Sequence, residues 1–361
     1  HCCSMSDPTG DSPSLADLGW APVFQHQLTI DEIETLSPAR VFEVQRSGLG
    51  LRFEGGETEV ALGGRWFQRS SEQRPTVGDW VLLDVRANSV ERLLERKSLL
   101  KRMSVSKPGE IQLLAANVDT LFLVSSCNEE FNLSRMERYL ALAMDAGVQP
   151  VIVLTKADLE ENPETYRDRA LTLGRDLIVE VVNALEVDAL KNLRAWCLPG
   201  QTVSLLGSSG VGKSTLINSL AGIALQATGE IREDDARGRH TTTNRSLHLI
   251  SGGGLLLDSP GMRELGIADI EVGLASAFAD VEATAASCRF NDCAHEREPG
   301  CAVLSAIESG ELDERRLDSY RKLKREEAYN TESVAGRRSR MRQFSKGVKQ
   351  AVTSSDKRGD R

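Results

Sequence analysis

The stretch of sequence that decides the fold is the run Gly207-Ser208-Ser209-Gly210-Val211-Gly212-Lys213-Ser214. It follows the apolar residues 202–206 and leads into the helical residues 215–221, which is the strand, loop and helix setting of a phosphate-binding loop, G-x-x-x-x-G-K-S. The glycines let backbone amides converge on phosphate oxygens at a helix N-terminus. Lys213 is expected to neutralise phosphate charge and Ser214 to ligate Mg²⁺. We assign this loop and Thr215 to a nucleotide site.

Two motifs follow the loop at the spacing typical of nucleotide hydrolases. The first is R-H-T-T-T, in which we choose Thr242 as the second Mg²⁺ ligand and keep its neighbours Thr241 and Thr243 as alternatives. The second is D-S-P-G after an apolar strand. Its Asp258 is expected to hold Mg²⁺ through water, and the amide of Gly261 to contact the γ-phosphate.

The motif for base recognition precedes the phosphate loop. It is T-K-A-D, in which Asp158 accepts two N–H groups of guanine and Lys156 packs its stem on the base. Thr155 stands where asparagine is usual, so one amide is lost and an ATP-dependent enzyme stays an alternative. Asn183 and Ala184 resemble the S-A-x loop that lies behind the base, with asparagine in place of serine.

A cysteine-rich segment predicts a metal site. It has the spacing C-x₄-C-x-H-x₅-C, in polar sequence, and its candidate ligands are Cys288, Cys293, His295 and Cys301. Three thiolates and one imidazole fill the four positions of a closed, structural Zn²⁺ site, one ion per chain. The alternative is a set of reduced core cysteines beside a surface histidine.

The texture of the chain changes twice. Residues 40–101 include short β-rich runs separated by glycine turns, which predicts a small antiparallel barrel. The runs are Ala39–Val44, Glu59–Leu62, Trp80–Val85 and Ser89–Leu94. From residue 119 apolar strands alternate with amphipathic helices, which predicts an α/β domain with a mostly parallel sheet. After residue 269 the sequence is charged and helical, notably over Ala302–Glu308 and Leu312–Ala328.

The motif order is base motif, backing loop, phosphate loop, R-H-T-T-T and D-S-P-G. With the barrel and the cysteine cluster, this order resembles the RsgA (YjeQ/YloQ) family of ribosome small-subunit-dependent GTPases over residues 40 to about 330. The resemblance implies an OB-fold barrel, a circularly permuted P-loop GTPase domain and a small, mainly α-helical zinc-binding domain. It also implies GTP hydrolysis stimulated by the small (30S) ribosomal subunit, during late maturation of that subunit.

Composition and the resemblance together divide the chain. Residues 6 to about 37 are rich in Pro, Ser, Asp and Gly, which is typical of a mobile segment. We expect a mobile leader at 1–37, with 1–4 a cloning remnant before Met5, an OB-fold RNA-binding domain at 38–105, the GTPase domain at 106–270, the zinc-binding domain at 271–335 and a disordered basic tail at 336–361. Basic and aromatic residues punctuate the barrel, as RNA binding requires. Without the resemblance, a solvated barrel rim is the better interpretation of these residues.

The catalytic group is not evident from the motifs. Met262 follows D-S-P-G and cannot orient water by hydrogen bonding, so intrinsic turnover is expected to be slow. The resemblance favours His240, acting with Thr242, as the catalytic residue, and a plain loop histidine is the alternative. An RNA-binding nucleotide sensor with negligible hydrolysis is the rival function.

Charge and hydropathy bear on the partners and the cellular location of the chain. The net charge is −9, yet residues 321–361 hold thirteen Lys/Arg against five Asp/Glu, so the tail is expected either to contact RNA or to be solvated. The sequence has no apolar run of membrane-spanning length. We expect a cytoplasmic monomer with GTP or GDP, the small subunit and its rRNA as partners, and no membrane partner.

Overall fold

The computed structural model describes residues 13–45, 48–103, 111–174, 176–186, 190–222, 245–250, 252–258 and 270–331. The strands in these ranges are β1 (Ser37–Val44), β2 (Gly48–Phe53), β3 (Gly56–Ala61), β4 (Trp80–Asp84), β5 (Ser89–Leu93), β6 (Leu99–Met103), β7 (Ile111–Ala116), β8 (Thr120–Ser126), β9 (Gln149–Thr155), β10 (Ile178–Val181), β11 (Thr202–Gly207), β12 (Arg245–Leu249) and β13 (Leu255–Asp258). The α-helices are α1 (Pro22–Gln25), α2 (Ile30–Thr35), α3 (Gly64–Phe67), α4 (Leu133–Asp145), α5 (Glu164–Leu171), α6 (Lys191–Arg194), α7 (Lys213–Ala221), α8 (Glu271–Ala277), α9 (Ala279–Ala285), α10 (Ala302–Glu308) and α11 (Glu314–Thr331).

The α/β region has a sheet in the order β10-β9-β8-β11-β13-β12. All neighbours in this order are parallel except β12, which is antiparallel to β13. Every residue of β8 and β11 is buried, because helices cover both faces of a parallel sheet. Alternate residues of β8 enter different cores: Leu121 packs with α4, and Phe122 packs with α7. The predicted, mostly parallel sheet is confirmed.

The β-rich region forms antiparallel strands in the order β3-β2-β1-β4-β5. The two outer strands of this order approach each other, since the Asn88 amide next to β5 donates to the carbonyl of Glu59 on β3 at 3.0 Å. Inside lies a separate apolar core with Val41, Leu51 and Trp66 among its members. Strands β1, β3, β4 and β5 match the predicted β-rich runs, whereas β2 was not predicted. The assignment to the OB-fold class stays a prediction.

The β-rich region and the α/β region share one sheet. Strand β1 pairs antiparallel with β12, with Glu43 opposite Ser246 and Val44 opposite Arg245. The predicted boundary near residue 105 separates the two regions in sequence, but backbone pairing joins them in space. The boundary itself stays a prediction.

Residues 13–36 differ from the expected mobile leader. Leu18 and Phe24 are fully buried, and Phe24 packs against Trp80 of β4 with ring centroids 5.9 Å apart. Helix α2 begins with a capping box between Thr29 and Glu32. The Pro, Ser, Asp and Gly content of this segment suggested a mobile chain, yet its few large apolar residues are enough to anchor it.

The helices after residue 270 pack on α4 of the α/β region. At the contact, an added Cβ on Gly273 of α8 would lie 2.1 Å from the carbonyl oxygen of Ala141, so the two helix backbones meet closely. The predicted helices near 302–308 and 312–328 are present as α10 and α11. Within the described ranges, the helices all fall short of the length and apolar character that a membrane span needs.

Candidate functional site

The phosphate loop has the backbone that its sequence predicts. Strand β11 ends at Gly207, and α7 begins at Lys213 with Gly212 as its N-cap. Gly210 and Gly212 have φ values of +80° and +89°, which favour glycine, and a Cβ on Gly207 would lie 2.3 Å from the carbonyl oxygen of Val124. The N-terminal amides of α7 therefore open onto the loop, as anion binding requires.

A lysine ammonium lies at the centre of this loop. Lys213 Nζ donates to the carbonyl of Gly207 at 2.7 Å and also to the carbonyl of Ser208. Ser209 and Gly210 are exposed, and Ser214 and Thr215 are half-buried in the first turn of α7. The loop therefore combines one positive charge, partly accessible hydroxyl groups and the amides at the start of α7.

The base motif is attached directly to the phosphate loop. Thr155, at the end of β9, is fully buried, and its hydroxyl lies 2.6 Å from the carbonyl oxygen of Val211 and 3.2 Å from that of Ser125. Lys156 follows with φ +58°, which turns the chain so that Asp158 is exposed. The residue that departs from the usual motif is thus the one that joins the two halves of the site.

The backing loop is joined to the same site. The Ser219 hydroxyl of α7 donates to the carbonyl of Ala184 at 2.9 Å. Asn183 orders its own loop, since its carbonyl oxygen accepts the amide of Leu185 at 3.0 Å and its side-chain amide donates to Glu186 at 2.9 Å. Base motif, backing loop and phosphate loop, which are scattered over sixty residues of sequence, therefore meet in one place.

Other predicted site residues lie outside the described residues. These are His240, Thr242 with its neighbours Thr241 and Thr243, Gly261 and Met262. The backbone of Asp258 is described, and it ends β13 opposite Ser246. The assignments of these residues to catalysis and magnesium stay predictions.

The four predicted metal ligands converge. Their ligand atoms all lie within 4.8 Å of one another. The Sγ atoms of Cys288 and Cys301 are 3.9 Å apart, and they lie 3.6 Å and 3.5 Å from Nδ1 of His295. Tetrahedral Zn²⁺, with bonds of about 2.3 Å to sulfur and about 2.1 Å to nitrogen, produces ligand separations of this size. The donor set therefore fits a zinc ion with no position left for a substrate.

Glu298 organises the segment 288–301 that carries the four candidate ligands, called the metal loop below. Sequence reasoning missed this residue. One carboxylate oxygen accepts the amide of Ala294 at 2.9 Å, and the other accepts the amides of Glu296 and Arg297 at 2.8 Å and 3.0 Å. Hydrogen bonds from backbone amides, its own first and then those of Ala294, Arg297 and Glu296, lower the pKa of Glu298 to about 2. His295, inside this loop, has φ +60°, a conformation that such a network can hold. No spacing in the sequence predicts that this carboxylate accepts the amides of its own loop.

Buried and half-buried ion pairs connect α4 to α11, which follows the cysteine–histidine cluster. Glu137 of α4 is fully buried and accepts hydrogen bonds from Arg315 and Arg316, each at 3.1 Å. Arg138, the next residue, makes a bidentate pair with Glu326 at 2.6 Å. The first turn of α4 also reaches the phosphate loop, where Arg135 contacts Ser208. Helix α4 thus contacts the phosphate loop at its first turn and, further along, α11, which follows the cysteine–histidine cluster.

Comparison with family models gives two matches. The RsgA GTPase model matches residues 93–268, and the ABC transporter model matches residues 190–353. The two overlap over residues 190–268, which contain the phosphate loop. Only the RsgA GTPase match extends upstream over the base motif.

Curated relatives match almost the whole chain. Small ribosomal subunit biogenesis GTPase RsgA 2 of Vibrio parahaemolyticus is 49% identical over 347 residues, covering 96% of this chain and 95% of that protein. Small ribosomal subunit biogenesis GTPase RsgA of Mesorhizobium japonicum is 49% identical over 333 residues, covering 91% and 94%.

Solved structures have the same fold. YjeQ from Thermotoga maritima has a TM-score of 0.60 at 27% identity, covering 80% of this chain and 97% of that one. YloQ, described as a circularly permuted GTPase, has a TM-score of 0.57 at 24% identity, covering 82% and 97%. The permuted GTPase fold predicted from the motif order is thereby confirmed. The extent of the sequence identity then decides the family: the chain belongs to the RsgA GTPase family.

Proposed function

We propose that this protein is a GTPase that binds the small ribosomal subunit, acts in its late maturation and hydrolyses GTP to GDP and phosphate with stimulation by that subunit. The observation that carries the proposal is the hydrogen bond from Thr155 to Val211, which unites base motif and phosphate loop in a chain closely related to named biogenesis GTPases. A cytoplasmic monomer suits this role.

The described residues support a division of labour in the site. Asp158 recognises the guanine N–H groups, and Lys156 packs along the base. The amides at the start of α7 and the ammonium of Lys213 hold the phosphates. Ser214 and Thr242 would hold the Mg²⁺ that is brought with GTP, and the ion would supply neutralisation of phosphate charge.

Hydrolysis then requires a positioned water. We assign its orientation to His240, beside Thr242, with Asp258 and Gly261 responding to the γ-phosphate. Because Met262 has no hydrogen-bonding group that could orient water, we expect fast turnover to depend on stimulation by the subunit. Water attacks the γ-phosphorus, the bond to the β-γ bridging oxygen breaks, and GDP leaves.

The remaining parts have supporting roles in this proposal. The β-rich region is an OB-fold that binds rRNA, supported by the exposed ring of Phe67 with the Arg74 guanidinium 5.9 Å away. The three cysteines and His295 hold one structural Zn²⁺, supported by their mutual distances.

The test is steady-state GTP hydrolysis with and without isolated small ribosomal subunits. Large subunits serve as the control particle, ATP as the control nucleotide, and Lys213→Ala as the variant that lacks the phosphate-binding ammonium. We expect a large stimulation by small subunits, selective for GTP and absent from the variant. Equal slow turnover with both particles would favour an RNA-binding nucleotide sensor, and equal use of ATP would contradict the guanine assignment.

A further inference from the structure

An arginine outside every recognised motif lies against the phosphate loop. Arg135 stands in the first turn of α4, and its Nη1 lies 2.5 Å from the hydroxyl oxygen of Ser208. The two residues are separated by 73 positions in sequence, so the contact exists only in the folded chain.

Two cationic side chains contact Ser208. Its carbonyl accepts Lys213 Nζ, the ammonium assigned to the phosphates, and its side chain contacts Arg135. Because both cations touch one residue of the loop that surrounds the phosphates, the guanidinium lies at the border of the nucleotide site. This position is suited to a second positive charge on a highly anionic ligand.

Most of the guanidinium's hydrogen-bonding capacity is open. Among the residues that the structure describes, Arg135 contacts Ser208 and forms an ion pair with Glu130 at 3.7 Å. That pair is weak, because Glu130 is 60% exposed and Arg135 is 36% exposed. With respect to the described residues, at least three of the five guanidinium N–H groups are therefore available to phosphate oxygens.

The base of this side chain is held rigidly. Asn132 caps α4 by accepting the amide of Arg135 at 2.9 Å. One turn further, Glu137 and Arg138 tie the helix to α11. The backbone of Arg135 is thus fixed, and only its flexible side chain needs to move to reach a ligand.

We propose that Arg135 is a nucleotide-contacting residue, whose guanidinium binds the γ-phosphate of GTP and stabilises the charge that develops there during hydrolysis. The inference rests on the proposed function, because it presumes that GTP occupies the phosphate loop. A charge supplied within the chain would compensate for Met262, which cannot act on the γ-phosphate side. Arginines in such positions are known to accelerate phosphoryl transfer strongly.

The test compares Arg135→Gln and Arg135→Lys with Arg167→Gln, a matched control on α5 whose arginine pairs only with Glu164 at 3.4 Å among the described residues. Fluorescent GDP and a fluorescent non-hydrolysable GTP analogue are titrated, and single-turnover hydrolysis is measured. For Arg135→Gln we expect affinity for the GTP analogue to fall about tenfold or more, unchanged GDP affinity, and turnover lower by about a hundredfold. Arg135→Lys should recover part of each, and the control should match wild type.

Two results would overturn the proposal. An equal loss of GTP and GDP affinity would make Arg135 a support of the loop through Ser208, without contact to the γ-phosphate. Unchanged affinity and turnover would remove any role. Thermal melting of both variants separates these results from misfolding, and the conservative lysine variant keeps the comparison usable. Failure of wild-type protein to bind GTP at all would instead refute the proposed function, along with this inference.

Discussion

At the residue scale, the hydroxyl of Thr155 connects the base motif to the phosphate loop. The T-K-x-D sequence lacks the usual asparagine amide, yet Thr155 is buried and lies 2.6 Å from the carbonyl oxygen of Val211 in the phosphate loop. A hydroxyl has one donor, so the short contact to Val211 is the stronger hydrogen bond and the 3.2 Å contact to Ser125 the weaker. The residue therefore acts on loop position as well as on the base motif.

Replacing this hydroxyl is expected to weaken nucleotide binding. Thr155→Val leaves a buried carbonyl of the phosphate loop without its donor, which costs about 1–3 kcal/mol. We expect GTP and GDP affinities to fall together, by about tenfold, in titrations with fluorescent nucleotides. Thr155→Asn retains a donor and serves as the control. Wild-type affinity in the valine variant would contradict the role of this hydrogen bond.

Glu298 is the second position where one residue controls a site. Since its carboxylate accepts three amides of the metal loop, both oxygens are engaged and the residue orders the loop without being a ligand itself. Glu298→Ala is expected to lower Zn²⁺ affinity by about tenfold to a hundredfold, as loss of supporting residues around metal ligands does. Chelator competition followed by absorbance measures this.

The matched control for that experiment is Glu296→Ala. Glu296 lies in the same loop, but its carboxylate pairs with the exposed Arg325 at 3.3 Å. We expect it to bind Zn²⁺ as the wild type does. Equal affinities of the two variants would show that the carboxylate of Glu298 does not organise the site.

At the scale of elements, α4 connects the parts of the molecule. Its apolar face packs on the sheet, its first turn contacts the phosphate loop through Arg135, and its far side meets α8 at Gly273. The amide of Gly273 also donates to Asp145 at 3.2 Å. Because α8 and α4 approach at backbone distance, the contact leaves no room for a larger residue.

Gly273→Ala is therefore expected to destabilise the protein. The new Cβ would lie 2.1 Å from the carbonyl oxygen of Ala141 and 2.5 Å from the Cβ of Asp145, so the helices must separate. We expect a loss of about 1–3 kcal/mol in the free energy of unfolding, measured by urea denaturation. Gly64→Ala, where a Cβ meets nothing within 4 Å, is the control and should change stability little.

For the whole molecule, backbone pairing and buried charge join regions that are far apart in sequence. Strand β1 extends the α/β sheet through β12. Next to this junction, the buried Arg40 donates to the carbonyls of Gly78 and Asn117 and to the hydroxyl of Thr202. Burial lowers its pKa to about 10, which still leaves it charged at neutral pH. The junction is thus built from specific polar contacts as well as strand pairing.

Glu137 has a corresponding role at the contact between α4 and α11. Glu137→Ala leaves Arg315 and the buried Arg316 without this partner, although Arg316 keeps Asp280 at 2.5 Å. Removing one member of a buried ion pair costs about 3–5 kcal/mol. We expect a loss of that order in urea denaturation and faster proteolysis between α9 and α11. Glu164→Ala, from an exposed pair, should change neither; equal stability of both variants would contradict the role of the network.

Local sequence patterns were sufficient to predict the phosphate loop, the cysteine–histidine cluster and the alternation of strands and helices. Each of them is encoded within about twenty consecutive residues, where spacing and apolar period determine geometry directly. Motif order along the chain likewise predicted the permuted fold. Weaker local signals failed: glycines hid β2, and a polar composition hid the anchoring of residues 13–36.

Tertiary structure alone decided what joins these parts. Thr155 and Val211 are 56 residues apart, Arg40 and Thr202 are 162 apart, and Glu137 and Arg316 are 179 apart. No periodicity links such positions, because their encounter depends on how every intervening strand and helix packs. The sequence by itself therefore predicted the phosphate loop, the base motif and the cysteine–histidine cluster, whereas only folding determined that Arg135, Thr155 and Glu298 contact them.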